Sequence, residues 1–216
     1  MGLNKSKLTP KRKSQSWRAV LLALWLAAGL GAAETKTVVF FGDSLTAGYG
    51  VDPDEAYPAL IQKKIGQAGL PWRVVNAGLS GETTAGGLRR LDWVLRQRVD
   101  IFVIELGGND GLRGIPPATT RSNLETMIQR IRQRYPGATV VIAGMRMPVN
   151  MGPEYTREFA ALYPEVARAG GAVLIPFLLE GVGGVASLNL PDGIHPTPQG
   201  HQLVADTVWD ILRPLL

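Results

Sequence analysis

Ser44 stands in the run Gly42-Asp43-Ser44-Leu45-Thr46, directly after the apolar, β-branched stretch 37–41. Such a stretch reads as a buried strand. A serine just past the carboxyl edge of a strand sits where open α/β sheets bind their ligands. It can act as a nucleophile if a base takes its proton and if donors hold the oxyanion that develops. Taken alone, the run has a plainer reading. Ser and Asp are both preferred helix N-caps, so Asp43 and Ser44 can simply open a helix.

The chain has two histidines, so the search for a base is short. His195 lies in Asp192-Gly193-Ile194-His195-Pro196, a loop that precedes the last expected helix. Asp192 is three residues upstream, a spacing that lets a carboxylate reach the imidazole Nδ1 within one turn. That contact fixes the tautomer and stabilises the imidazolium during proton transfer. Asp beside Gly193 is also ordinary turn chemistry. His201 falls inside the expected helix and reads as a partly exposed helical histidine. Two stretches can supply oxyanion donors. Asn109, in Gly107-Gly108-Asn109-Asp110, carries an amide next to glycines that let backbone approach a substrate. Gly81, in Ser80-Gly81-Glu82-Thr83, offers a backbone N–H near a helix start. Each signal has a turn reading beside it; together they fall at strand ends or before helices, on one edge of a sheet.

The elements that must position these groups alternate along the chain. Strands are expected at 36–41, 72–76, 100–106, 138–144 and 172–176, and helices at 53–68, 84–98, 119–135, 155–169 and 198–212. Leu88, Leu91, Val94 and Leu95 recur at helical spacing, as do Leu124, Ile128 and Ile131. Pro164 falls inside one helix and is expected to kink it. Strict alternation implies right-handed crossovers and a parallel sheet covered on both faces. Continuous apolar strands agree with that arrangement. The irregular stretches 107–118, 145–153 and 178–193 are expected to wall the site.

Composition narrows the function classes. Residues 1–33 have the pattern of a secretory signal peptide. Lys5, Lys7, Lys11, Arg12, Lys13 and Arg18 form a basic start with no acid, 19–30 is an apolar run, and Gly31-Ala32-Ala33 supplies small residues. Cleavage is expected after Ala33, giving an exported, periplasmic protein; the alternative is a retained N-terminal anchor. The apolar run is short for a bilayer span, and no transmembrane span is expected in the mature chain. The formal charge of +5 falls to −1 once the six cations are set aside. Nothing in the charge then favours nucleic acid. The remaining 34–216 suffice for one domain. With no cysteine, lipid attachment and disulfides are excluded, and stability must come from the core.

Four runs taken together resemble the SGNH hydrolases, also called GDSL esterases and lipases: Gly42-Asp43-Ser44-Leu45-Thr46, residues 76–83 with Gly81, Gly107-Gly108-Asn109-Asp110, and Asp192-Gly193-Ile194-His195-Pro196. They occur in order and the resemblance covers 34–216. Within the family, the run from Glu105 to Gly114 is similar to that of the small exported bacterial thioesterase, lysophospholipase and arylesterase group. The resemblance implies an α/β fold, a three-layer αβα sandwich of flavodoxin-like type around a parallel sheet of about five strands. It implies catalytic Ser44, His195 and Asp192, and an oxyanion hole of the Ser44 and Gly81 N–H groups with the Asn109 side chain. No metal and no cofactor is implied. Small acyl esters or thioesters, lysophospholipids included, are the expected substrates of a monomer. Leu112, Ile115, Pro148, Val149 and Met151 are expected to line an apolar acyl channel, although scattered loop hydrophobics need no such role. Two other readings stay open: a carbohydrate O-acetylesterase with the same catalytic set, and a non-catalytic flavodoxin-like binding module. The glycine-rich loop after the first strand carries Asp43 and no Lys or Arg, which suits a phosphate ligand poorly.

Overall fold

A computed structural model describes residues 1–2 and 34–216. The expected signal segment and its cleavage point therefore fall almost wholly outside the described residues. Among the described residues five strands form one sheet: β1 (Lys36–Gly42), β2 (Trp72–Gly78), β3 (Ile101–Glu105), β4 (Thr139–Ala143) and β5 (Val173–Ile175). Their order is β2-β1-β3-β4-β5, and every pairing is parallel. Val38 to Phe41, Ile101 to Ile104 and Val140 to Ala143 are all buried. Strands covered on both faces can be apolar throughout, which is why these three were the clearest in the sequence. Phe40, Phe41 and Phe102 are fully buried; each such side chain contributes roughly 1.5–3 kcal/mol of transfer free energy.

Among the described residues seven helices accompany the sheet: α1 (Ser44–Ala47), α2 (Tyr57–Gln67), α3 (Thr84–Val94), α4 (Gly108–Leu112), α5 (Pro117–Arg134), α6 (Pro153–Gly170) and α7 (Pro198–Leu212). The topology is the three-layer, flavodoxin-like one expected. The register aligns Gly42 with Gly78 on one side and Glu105 on the other. The strand order reverses its direction of growth at β1 and β3, so the crevice beyond their carboxyl ends is the place for a ligand.

Several boundaries differ from the sequence expectation, each for a local reason. The helix expected over 53–68 is two pieces, a 3₁₀ turn at Pro53–Glu55 and α2, because Ala56 is extended and serves as the N-cap of α2, with Pro58 in its first turn. The helix expected over 84–98 stops at Val94. The Tyr135 hydroxyl bonds the carbonyls of Leu95 and Gln97 there, so the chain turns toward β3. Pro164 lies within α6, which runs unbroken. The short α1 and α4 have too few residues to show any periodicity. His201 is the other departure: it is buried, not partly exposed. Its Nδ1 accepts the Tyr57 N–H at 3.3 Å, and burial lowers its pKa to about 4, so it stays neutral.

Candidate active site

β1 ends on Gly42, where a Cβ would collide with Thr46 and Glu105. Only glycine lets the chain turn so tightly into α1. Asp43 caps that helix, its carboxylate accepting the Leu45 N–H at 3.0 Å. Ser44 is then the first helical residue, and its N–H is among the donors a helix leaves unpaired at its start. The capping reading of the sequence is thus correct for Asp43 and leaves Ser44 available.

His195 comes to Ser44 from the far end of the chain. Its Nε2 lies 2.8 Å from Ser44 Oγ and its Nδ1 lies 2.7 Å from Asp192 Oδ2. The other Asp192 oxygen, Oδ1, accepts the N–H groups of Ile194 and His195 at 2.9 and 3.0 Å. These three bonds to the His195 segment lower the Asp192 pKa to about 2. An ionised Asp192 holds the proton on Nδ1, which leaves Nε2 to accept from the serine hydroxyl. Gly193 takes positive φ to close this turn. Thr197 caps α7 with Pro198 at its first turn, so the loop carrying His195 is anchored directly to that helix.

Asn109 sits in α4, after Gly107 at φ 114. Its Nδ2 donates to Asp43 Oδ2 at 2.9 Å. An amide nitrogen has two hydrogens, so one is spent on Asp43 and the second remains for a ligand. Gly81 has φ 78, and its carbonyl accepts from Arg113 at 3.0 Å, tying the loop after β2 to the end of α4. A cavity of about 220 Å³ joins these groups; it is lined by Asp43, Ser44, Leu45, Tyr49, Ser80, Gly81, Gly108, Asn109, Leu112, Ile194 and His195.

Of the five residues expected to form the acyl channel, Leu112 lines this cavity. Ile115, Pro148, Val149 and Met151 do not. The loop before α6 packs behind α4, with Met147 against Gly111, and the Tyr155 hydroxyl bonds the carbonyls of Gly111 and Ile115. Val149 points to solvent at 90% exposure, and Met151 borders a separate surface depression. The apolar lining comes instead from Leu45, Tyr49 and Ile194. The Tyr49 ring lies 4.5 Å from the His195 ring. Its signal was its place five residues after Ser44, just past the short helix that Ser44 opens. No group of three or more His, Cys, Asp or Glu suited to a metal occurs among the described residues.

A parallel sheet with hydrogen-bonded serine, histidine and aspartate at its carboxyl edge is the plan of an α/β ester hydrolase. The chain belongs to the GDSL-like lipase/acylhydrolase family, whose model matches residues 40–203. Esterase TesA of Pseudomonas aeruginosa is 45% identical over 196 residues, 90% of this chain and 96% of that protein. A thioesterase 1/protease 1/lysophospholipase L1 of Escherichia coli K12 is 37% identical over 190 residues, 86% of this chain and 87% of that one. A crystal structure of TesA superposes with a TM-score of 0.81 at 44% identity, over 84% of this chain and all of that chain. The protein is a carboxylic ester hydrolase.

Proposed function

We propose that this enzyme hydrolyses small acyl esters and thioesters through an acyl-enzyme on Ser44. The observation that carries the reading is the 2.8 Å contact between Ser44 Oγ and His195 Nε2, backed by Asp192. Ser44 Oγ attacks the carbonyl carbon while its proton passes to His195 Nε2. The carbonyl oxygen becomes an oxyanion, held by the N–H groups of Ser44 and Gly81 and by the free N–H of Asn109. His195 gives the proton to the departing alkoxide or thiolate. Water then enters, loses a proton to the same nitrogen, and releases the acid. Asp192 keeps the imidazole oriented throughout.

The acyl group lies against Leu45, Tyr49, Leu112 and Ile194. With four expected channel residues absent from the cavity, the argument for a long acyl chain weakens and an O-acetylesterase reading gains. Aryl esters, acyl thioesters and lysophospholipids remain the leading substrates, on the strength of what the relatives are called. Residues 1–33 direct export and are removed after Ala33, so the monomeric enzyme works in the periplasm. Among the described residues no helix is long and apolar enough to cross a membrane.

The test is a panel of p-nitrophenyl esters and acyl-CoA thioesters of increasing acyl length, run beside Ser44→Ala and His195→Ala. Each variant is expected to lose roughly 10³-fold or more in turnover. Near-normal turnover in either removes the assignment, and activity confined to acetyl esters selects the acetylesterase.

A further inference from the structure

Two acids lie beneath the Ser44 turn. Asp43 is 2% exposed and Glu105, the last residue of β3, is 0% exposed. Among the described residues neither forms an ion pair. A buried carboxylate without a cation is strongly disfavoured, and a second one beside it is more so. The hydrogen bonds identify where the proton sits. Glu105 Oε2 accepts the N–H groups of Asp43 and Thr46, each at 3.2 Å, and the Thr46 hydroxyl at 2.7 Å. Since Thr46 spends its proton on Glu105, the Tyr57 hydroxyl must be the donor in its 2.7 Å bond with Thr46 Oγ1. Asp43 is likewise filled, with the Leu45 N–H on Oδ1 and the Asn109 amide on Oδ2. Glu105 Oε1 is the one oxygen of the four that meets no donor, although it is fully buried.

The Asp43 N–H bonds Glu105 Oε2 directly, so the two buried acids adjoin, and two such carboxyl groups without a cation are accommodated by sharing one proton. We propose that Glu105 is held as the neutral acid, its Oε1–H donating to the Asp43 carboxylate, and that it is a positioning residue for Asn109. The route runs through Asp43, which must be a fixed acceptor to orient the Asn109 amide toward the oxyanion. This rests on the oxyanion role given to Asn109 above. Burial pushes the Glu105 carboxyl well above its ordinary range, and the neighbouring Asp43 charge adds to that. The remaining titratable groups that feel the pair are Tyr57, Tyr163 and His195. Both tyrosines are held neutral by burial.

The experiment combines spectroscopy with kinetics on the whole enzyme at pH 8. The infrared difference spectrum of wild type minus Glu105→Gln is expected to contain the C=O stretch of a protonated carboxyl group, above the amide band. Glu105→Gln copies the neutral acid, presenting a carbonyl to the three donors and an N–H to Asp43. It is expected to keep kcat within about 3-fold of wild type. Glu105→Ala removes the support, lowering kcat roughly 10-fold with KM little changed. In an Asn109→Ala background the same change is expected to have almost no effect on kcat. A difference spectrum with carboxylate bands only, or loss of activity in a folded Glu105→Gln enzyme, overturns the neutral acid. Additive losses for Glu105→Ala and Asn109→Ala overturn the route through Asn109. Unchanged kcat in Asn109→Ala overturns the oxyanion reading and the positioning role with it, whereas a missing infrared band removes the neutral Glu105 alone.

Discussion

Replacing Asn109 tests the site more sharply than replacing the serine, because one variant deletes its amide and another of the same shape reverses its polarity. The Asn109 Nδ2 lies 2.9 Å from Asp43 Oδ2. Asn109→Ala deletes the proposed oxyanion donor and frees Asp43. Loss of one such donor costs about 10²–10³ in kcat, or roughly 2.7–4 kcal/mol. Asn109→Asp keeps the shape and replaces the donor with an acceptor aimed at developing negative charge. It also sets a second carboxylate beside buried Asp43, where two charges about 4 Å apart repel by about 4 kcal/mol at an effective dielectric of 20. The expected order of kcat at pH 8 is wild type, Asn109→Ala, Asn109→Asp. Asn109→Asp also melts lower than Asn109→Ala, because only it introduces the buried repulsion. Lowering the pH protonates one acid of the new pair, so the gap between the two variants narrows toward pH 5.

The assay is steady-state hydrolysis of p-nitrophenyl butyrate from pH 5 to 9, with thermal midpoints on the same samples. KM is expected to move less than kcat, because the oxyanion exists only near the transition state. Equal activity in all three enzymes would leave Asn109 a turn residue and refute the donor role. An Asn109→Asp enzyme more active than Asn109→Ala at pH 8 would refute the electrostatic part.

Other perturbations have equally direct readouts. Arg90 bonds the carbonyls of Ala77 and Gly42 at 2.8 and 3.2 Å, pairs with buried Glu82 and covers the Phe41 ring. Arg90→Met leaves buried Glu82 without its cation and takes a donor from the Ala77 carbonyl, while the Gly42 carbonyl keeps the Leu79 N–H; a loss of about 3 kcal/mol and a fall in Tm of roughly 6–12 °C are expected by calorimetry. Tyr49 is half exposed against His195; Tyr49→Ala is expected to lower kcat/KM for aryl esters roughly 2- to 10-fold at unchanged Tm. For Asp192, whose pKa is lowered from 3.8 to about 2, the sign is that of a depressed carboxylate. Its contribution to stability is fully present above 3.8 and is lost as pH falls through about 2. Urea midpoints of wild type and Asp192→Asn are therefore expected to differ by a constant amount above pH 4 and to converge below it.

The sheet was legible because its signal is local. Val38 to Phe41 and Ile101 to Ile104 are apolar at every position, which only a strand covered on both faces explains economically. The edges of elements were less legible because they are decided by partners distant in sequence. Nothing near Val94 announces that α3 must stop there; the hydroxyl that holds the next turn belongs to Tyr135. His201 illustrates the same limit. A histidine among Gln202, Leu203 and Val204 looks half exposed until Tyr57 supplies its backbone partner from 144 positions away.

The site divides along the same line. Ser44, Gly81, Asn109, Asp192 and His195 stood out because each lies in a short run at a strand end or before a helix, and the four runs occur in order. The walls did not. Pro148, Val149 and Met151 lie in a loop that starts at the correct sheet edge, yet Met147 plugs against Gly111 and directs that loop behind α4. Apolar loop residues carry no mark of the side from which they approach. Glu105 did carry one. An acid closing the most apolar strand must find donors or a proton, and β1 pairs beside it so that Gly42 lies opposite. The glycine leaves room for the Glu105 carboxyl against Thr46, and the Asp43 N–H completes its cradle. The strand residue and the Ser44 turn are thus one unit, and the lone acid in β3 is the part of the candidate site's framework that the sequence exposed without explaining.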